Sequence, residues 1–77
     1  MNNDQNAKLV IYITAQHNPY YRTDAGRWAA NVKKAREFST PEEAQQEADR
    51  IGLVTFLGEQ CEPIVGEVRT FSRRRQR

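Results

Sequence analysis

One cysteine, one histidine, one methionine and one tryptophan are all that this 77-residue chain has of those four residue types. The lone Cys61 has no partner for an internal disulfide, so no oxidising compartment is needed to hold the fold together. With His17 as the single histidine, a Cys/His zinc cluster is excluded, and no metal or other cofactor is expected. The four glycines, at 26, 52, 58 and 66, are scattered, which leaves no glycine-rich loop to cradle a phosphate. The most apolar stretch, Leu9 to Ile13, is far shorter than the roughly 20 residues a membrane span requires. The polar start, Met1 to Asn6, has no charged-then-apolar signal pattern. Neither membrane insertion nor secretion is expected, and the expected location is cytoplasmic.

What is present describes one small folded domain. A chain this short supports a single hydrophobic core, and its 38% hydrophobic and 29% charged residues are ordinary for a globular protein. The net charge of +2 is unevenly placed. Four of the 12 basic residues, Arg73, Arg74, Arg75 and Arg77, lie in the last six positions. Residues 1–71 then hold 8 basic against 10 acidic side chains, a net of −2. A slightly acidic body lacks the footprint of a dedicated duplex binder, so any nucleic-acid function must lean on the tail. The expected organisation is a flexible start over 1–6, one α+β domain over 7–71 and a flexible basic tail over 72–77.

The clearest element is a helix from Pro41 to Ile51, because both ends are marked. Thr40 is a good N-cap, Pro41 occupies the first helical position where its missing N–H costs nothing, and Glu43 completes a capping box. Gly52 supplies a C-terminal stop, with Leu53 expected to fold back on Ala48. Ala44, Ala48 and Ile51 form a narrow apolar stripe of mostly small side chains that can lie close against a sheet. Leu9 to Thr14 is rich in β-branched and aromatic residues on both faces, the pattern of a central strand. Asn18-Pro19 reads as a turn, Tyr20 to Thr23 as a second strand, Asp24-Ala25-Gly26 as another turn, and Arg27 to Ala30 as a third strand. Asn31 to Phe38 reads as a helical turn or loop that ends extended. Leu53 to Leu57 is strand-like and Gly58 to Pro63 a polar loop. Ile64 to Phe71 is a final strand with Ile64 and Val68 facing inward and Val65, Glu67 and Arg69 facing the other way, and Gly66 marks a bulge or a close approach. Together these predict α+β architecture: a three- or four-stranded antiparallel sheet with one helix on one face, in the order β-β-β-α-β.

Tyr20-Tyr21, Trp28, the run Lys34-Ala35-Arg36-Glu37-Phe38-Ser39-Thr40-Pro41-Glu42-Glu43-Ala44, Ala48, and the closing Val65-Gly66-Glu67-Val68 resemble a loose class of short phage and prophage proteins. The likeness covers roughly residues 9–70 and mostly encodes folding signals. Some small phage proteins of similar build inhibit host defence stoichiometrically, anti-CRISPR proteins among them. The resemblance therefore implies a protein inhibitor of host machinery and carries over no site residues.

Candidate chemistry is sparse. A Cys61–His17 nucleophilic pair would need the two side chains in hydrogen-bond reach with a third group orienting the imidazole, and nothing in the spacing suggests it. His17 reads as a solvated turn residue and Cys61 as a spare thiol. Glu42, Glu43, Glu47 and Asp49 read as the solvated face of a helix rather than an acid–base pair. No catalytic residues are assigned, and the chain is not expected to be an enzyme. The aromatics carry more. Tyr20 and Tyr21 alternate, so one faces in and the other out, and the core is expected to take Trp28 and one tyrosine. An outward Tyr21, with Arg22, Arg27, Lys33, Lys34 and Arg36 adding positive charge nearby, would make a binding face joined by the Arg73, Arg74, Arg75 and Arg77 tail. The expected function is a non-enzymatic protein-binding module. The alternative is a nucleic-acid binder using that basic, aromatic face and the tail. Oligomeric state is left open.

Overall fold

The computed structural model of the chain describes residues 6–70. Its elements are β1 (Asn6–Ala15), β2 (Asn18–Arg22), β3 (Trp28–Ala29), a 3-10 turn (Val32–Lys34), α1 (Pro41–Ile51), β4 (Val54–Phe56), β5 (Glu59–Cys61) and β6 (Ile64–Thr70). An antiparallel sheet of four strands runs β3-β2-β1-β6, and β4 and β5 form a separate two-stranded sheet. The expected α+β architecture is what the chain adopts, with one further hairpin.

The central place of β1 follows from its two apolar faces. On one side it pairs with β6 over seven positions, from Asn6↔Thr70 to Tyr12↔Ile64. On the other it pairs with β2 through four, from Tyr12↔Tyr21 to Ala15↔Asn18. Beyond Tyr12 the two strands diverge, and residues 35–38 fill the gap. Phe38 N–H donates to the Leu9 carbonyl at 2.9 Å and Arg36 N–H to the Arg22 carbonyl at 2.8 Å. This is the expected extended end of the Asn31–Phe38 stretch, and it closes the sheet where the β1–β2 hairpin opens.

Side chains that oppose one another across a sheet share a face, so the register defines two faces. One carries Leu9, Ile11, Ile13 and Ala15 of β1, Val65 of β6, and Tyr20, Arg22 and Trp28. Ile11, Ile13 and Ala15 are wholly buried there, together with Ala44 and Ala48 of α1 and Cys61 of β5. Tyr20, Trp28, Val54 and Phe56 pack around Ile13, Ala15 and Cys61, with the Tyr20 and Phe56 rings 4.8 Å apart. Trp28 and one tyrosine thus join the core as expected.

The helix begins at the expected cap, with the reciprocal bond of the capping box shifted one residue back, to Ser39. Thr40 Oγ1 accepts from Glu43 N–H at 3.2 Å, while Glu43 Oε1 reaches back to Ser39 N–H at 3.4 Å. Thr40→Ala removes the first of these and is expected to cost about 1 kcal/mol, read as a lower midpoint in urea with unchanged slope. Gly52 ends the helix at φ 69° and ψ −167°, its N–H donating to the Ala48 carbonyl at 3.1 Å. With that ψ the chain leaves extended, so Leu53 does not fold back on the helix and is 62% exposed.

Three further readings are corrected. The first turn is at Gln16-His17, not Asn18-Pro19: both residues have positive φ, 52° and 69°, as a two-residue hairpin loop of the tight primed type demands. Asn18 and Pro19 instead open β2. Leu57-Gly58, at φ 53° and 79°, makes a second such loop, turning the expected polar loop into the β4–β5 hairpin. Ile64 does not face inward: it opposes Tyr12 on the face away from α1 and is 46% exposed.

Candidate functional site

The sheet face opposite α1 is only partly covered. Over its Lys8 and Val10 end lies the 3-10 turn, whose first residue follows the cap made by Asn31 Oδ1 accepting from Lys33 N–H at 2.9 Å. Val32, Lys33 and Ala35 shelter Val10 there, and Lys8 Nζ pairs with Glu37 Oε2 at 2.8 Å. Toward the β1–β2 loop that cover ends. Tyr12, Tyr21 and Ile64 stand in a row across three strands, since Tyr12 opposes Tyr21 on one side and Ile64 on the other. The two tyrosine rings lie 6.3 Å apart at 47°, a tilted aromatic pair. Both are half-buried, and Pro19 and Thr14 beside them are exposed. A shallow hollow of about 220 Å³ is bounded by Tyr12, Pro19, Tyr21, Gly66, Glu67 and Val68.

Gly66 is what lets Tyr12 lie flat. A Cβ placed on Gly66 would sit 2.6 Å from Tyr12 Cε1, so the ring occupies the space that any other residue would fill. This is the close approach expected of that glycine, and no bulge interrupts the β1–β6 register.

Tyr21 is therefore on the open face as expected, but the positive charge is not gathered around it. Arg22 follows Tyr21 in the strand and so faces the other way, opposite Trp28. Its guanidinium lies 5.0 Å from the Trp28 ring centre and donates to the Gly26 carbonyl at 3.0 Å. Arg36 lies 4.9 Å above the Phe38 ring, also on the α1 side. Arg27 is exposed after the Thr23–Arg27 turn, whose Thr23 Oγ1 accepts from Arg27 N–H at 3.1 Å. Lys33 and Lys34 are exposed on the 3-10 turn. Among the described residues, the predicted cation Lys33, beside Val10, approaches the open face, whereas Arg22 and Arg36 are carried off to the helix side. Arg73, Arg74, Arg75 and Arg77 lie outside the described residues. The reading missed Tyr12 and Ile64. The signal for Tyr12 was available, because Tyr12 shares its parity in β1 with Val10 and Thr14, the side away from Ile11 and Ile13.

On the helix side, Arg22, Arg36 and Arg50 surround Glu47. Arg50 Nη2 reaches both Glu47 carboxylate oxygens, at 2.7 and 2.6 Å. That hydrogen bonding holds the Glu47 carboxyl below the usual carboxylate range; burial works against it, and the charges of Arg50, Arg36 and Arg22 add to it. The Glu47 side chain is 16% exposed, so this acid is not simply a solvated helix residue. A depressed folded-state pKa stabilises the fold above the ordinary carboxylate pKa and loses that contribution as pH falls through the lowered value. Glu47→Gln is thus expected to melt with less acid sensitivity than the parent between about pH 5 and pH 3, as followed by circular dichroism. The effect will be small, because Arg50 is 74% exposed and solvent screens the pair.

Cys61 is buried, and its Sγ donates to the Thr14 carbonyl at 3.3 Å, which makes it a core residue. His17 is exposed on its turn. Among the described residues no three His, Cys, Asp or Glu side chains gather as a metal site, and no helix is long and apolar enough to cross a membrane. Neither a protein family, nor a curated protein, nor a solved structure matches the chain.

Proposed function

We propose that the chain is a non-enzymatic protein-binding module that docks its partner on the Tyr12–Tyr21–Ile64 face. The observation that carries this reading is the row of two paired, half-buried tyrosines and an exposed isoleucine on the half of the sheet that neither α1 nor the 3-10 turn covers. Tyrosine is enriched at the energetic centres of interfaces because it presents a large, rigid apolar area with a polar tip. The form this function takes, by resemblance to small phage proteins, is stoichiometric inhibition of a host protein such as a CRISPR effector.

Nuclease-treated lysate of a bacterial host passed over the immobilised full chain tests it. Capture of a protein that survives nuclease, and is lost in Tyr21→Ser and Ile64→Glu, is the expected result. Capture abolished by nuclease, or indifferent to both substitutions, would sink the reading.

A second reading is favoured by a separate observation: Arg22 and Arg36, each stacked on an aromatic ring, lie with Arg50 on the α1 side, and the tail adds four more arginines. Such a surface would hold nucleic acid weakly through phosphates, with affinity falling steeply as salt rises. Truncation after Phe71 would flatten that salt dependence. No binding of generic DNA or RNA at low salt by the full chain rules it out.

A further inference from the structure

β6 is an edge. Among the described residues it pairs with β1 alone, and its outer row of N–H and C=O groups has no strand beside it. It is seven residues long. Proteins usually blunt such an edge with charged side chains, lysine above all, with an internal proline or with a bulge, because an unpaired row is a template for another strand. β6 has no lysine, internal proline or bulge, and its two charges, Glu67 and Arg69, are of opposite sign, so they do not repel a strand that sets one against the other.

The order of charges along β6 says what fits. In a strand pair related by a two-fold axis perpendicular to the sheet, opposed residues share a face, so the axis must pass through a residue and not between two. Centred on Glu67, self-pairing would set glutamate against glutamate. Centred on Arg69, it would set arginine against arginine. Centred on Gly66, it would leave Glu67 opposite Val65 and bring Arg69 level with Pro63, with no charge matched. Only the Val68 centre sets valine opposite valine and, on either side, Glu67 opposite Arg69 of the second copy. The strand is complementary to itself in one register.

We propose that two copies associate by antiparallel pairing of β6 with β6, about a two-fold axis at Val68. The result is one continuous sheet of eight strands, with β6 of each copy at its centre and β3 at both ends. The tyrosine faces of the two copies then lie on the same side, and the pairing is independent of what docks there.

Sedimentation equilibrium of the full chain over roughly 1 µM to 1 mM, a range that brackets weak and moderate self-association, tests the proposal. The expected result is a monomer–dimer equilibrium. Glu67→Arg and Arg69→Glu should each weaken it about tenfold or more, since each turns two favourable cross-strand pairs into like-charge pairs. The double variant, which exchanges the two charges, should recover to within about threefold of the parent. A monomer throughout the range overturns the proposal, as does a dimer unmoved by either single reversal or a double variant no tighter than the singles. Should a single variant fail to fold by circular dichroism, hydrogen exchange of the parent decides. Protection of the alternate β6 amides that face away from β1 should rise with protein concentration, and concentration-independent exchange there overturns the pairing.

Discussion

Ala48→Glu is expected to leave the chain unfolded at room temperature. Ala48 is 3% exposed on the face of α1 that lies against the sheet, and the two buried residues of that helix are both alanines, so the helix sits close. A glutamate there must either bury an unpaired carboxylate, at a cost of several kcal/mol, or lift the helix off β1 and β6 of the sheet. A core of this size supplies only about 3–5 kcal/mol of net stability, so either route exhausts it. Loss of the cooperative thermal transition by circular dichroism is the readout, with Gln46→Glu, on the exposed side of the same helix, as the control that should melt like the parent. A cooperative melt within a few degrees of the parent would show that α1 does not meet the sheet through Ala48.

Ile13→Ala should cost about 2–5 kcal/mol, the range for deleting a fully buried aliphatic side chain whose surroundings close only in part. Ile13 is wholly buried and touches the centre of the core, where Ala15, Cys61, Tyr20 and Phe56 meet. The neighbours there are held by strand pairing on both sides of β1, which limits their collapse into the gap. Cys61 reports the change directly. Its thiol is shielded in the parent, and the variant should react faster with a thiol reagent by the same factor as its unfolded population rises. Labelling at the parent's rate would place Cys61 outside the unit that Ile13 stabilises.

How legible each part was in the sequence depends on how locally it is determined. The helix is set by contacts within four residues, and Thr40, Pro41 and Glu43 mark its start to the residue. β1 was legible because both its faces are apolar, which happens only in the middle of a sheet. The hairpin loops were not. Gln16-His17 adopts two positive φ values without glycine or asparagine, and the conformation is secured from outside the loop: Gln16 N–H donates to Glu59 Oε1 at 3.1 Å and Gln16 Nε2 to the Leu57 carbonyl at 3.2 Å. The two tight turns thus brace one another across more than 40 residues of chain, a cause that no local window contains. With Asn18-Pro19 next door as the more usual turn signal, the reading moved the turn by two residues. The candidate site divides in the same way. That one of Tyr20 and Tyr21 faces outward is plain alternation, but the same alternation sends Arg22 to the opposite side, and it was not carried one residue further. Tyr12 was open to the same alternation, through its parity with Val10 and Thr14 in β1, whereas Ile64 joined the site only through the β1–β6 register, which links residues some fifty positions apart.

That register also governs how the chain comes together in time. β1 is the earliest strand of the described sheet, and the longer of its two ladders is made with the latest. Hairpin β1–β2 can close within a few residues, but alone it is a two-stranded ribbon of marginal stability. The loop entropy of joining β1 to β6 must be spent before those seven positions stabilise anything. As the chain is synthesised, β1 therefore waits with its most apolar strand unpaired on the β6 side until residue 70 has emerged. The domain is expected to fold after synthesis of the sheet is finished rather than during it, and any nascent chain stalled before β6 would present an open apolar strand to chaperones.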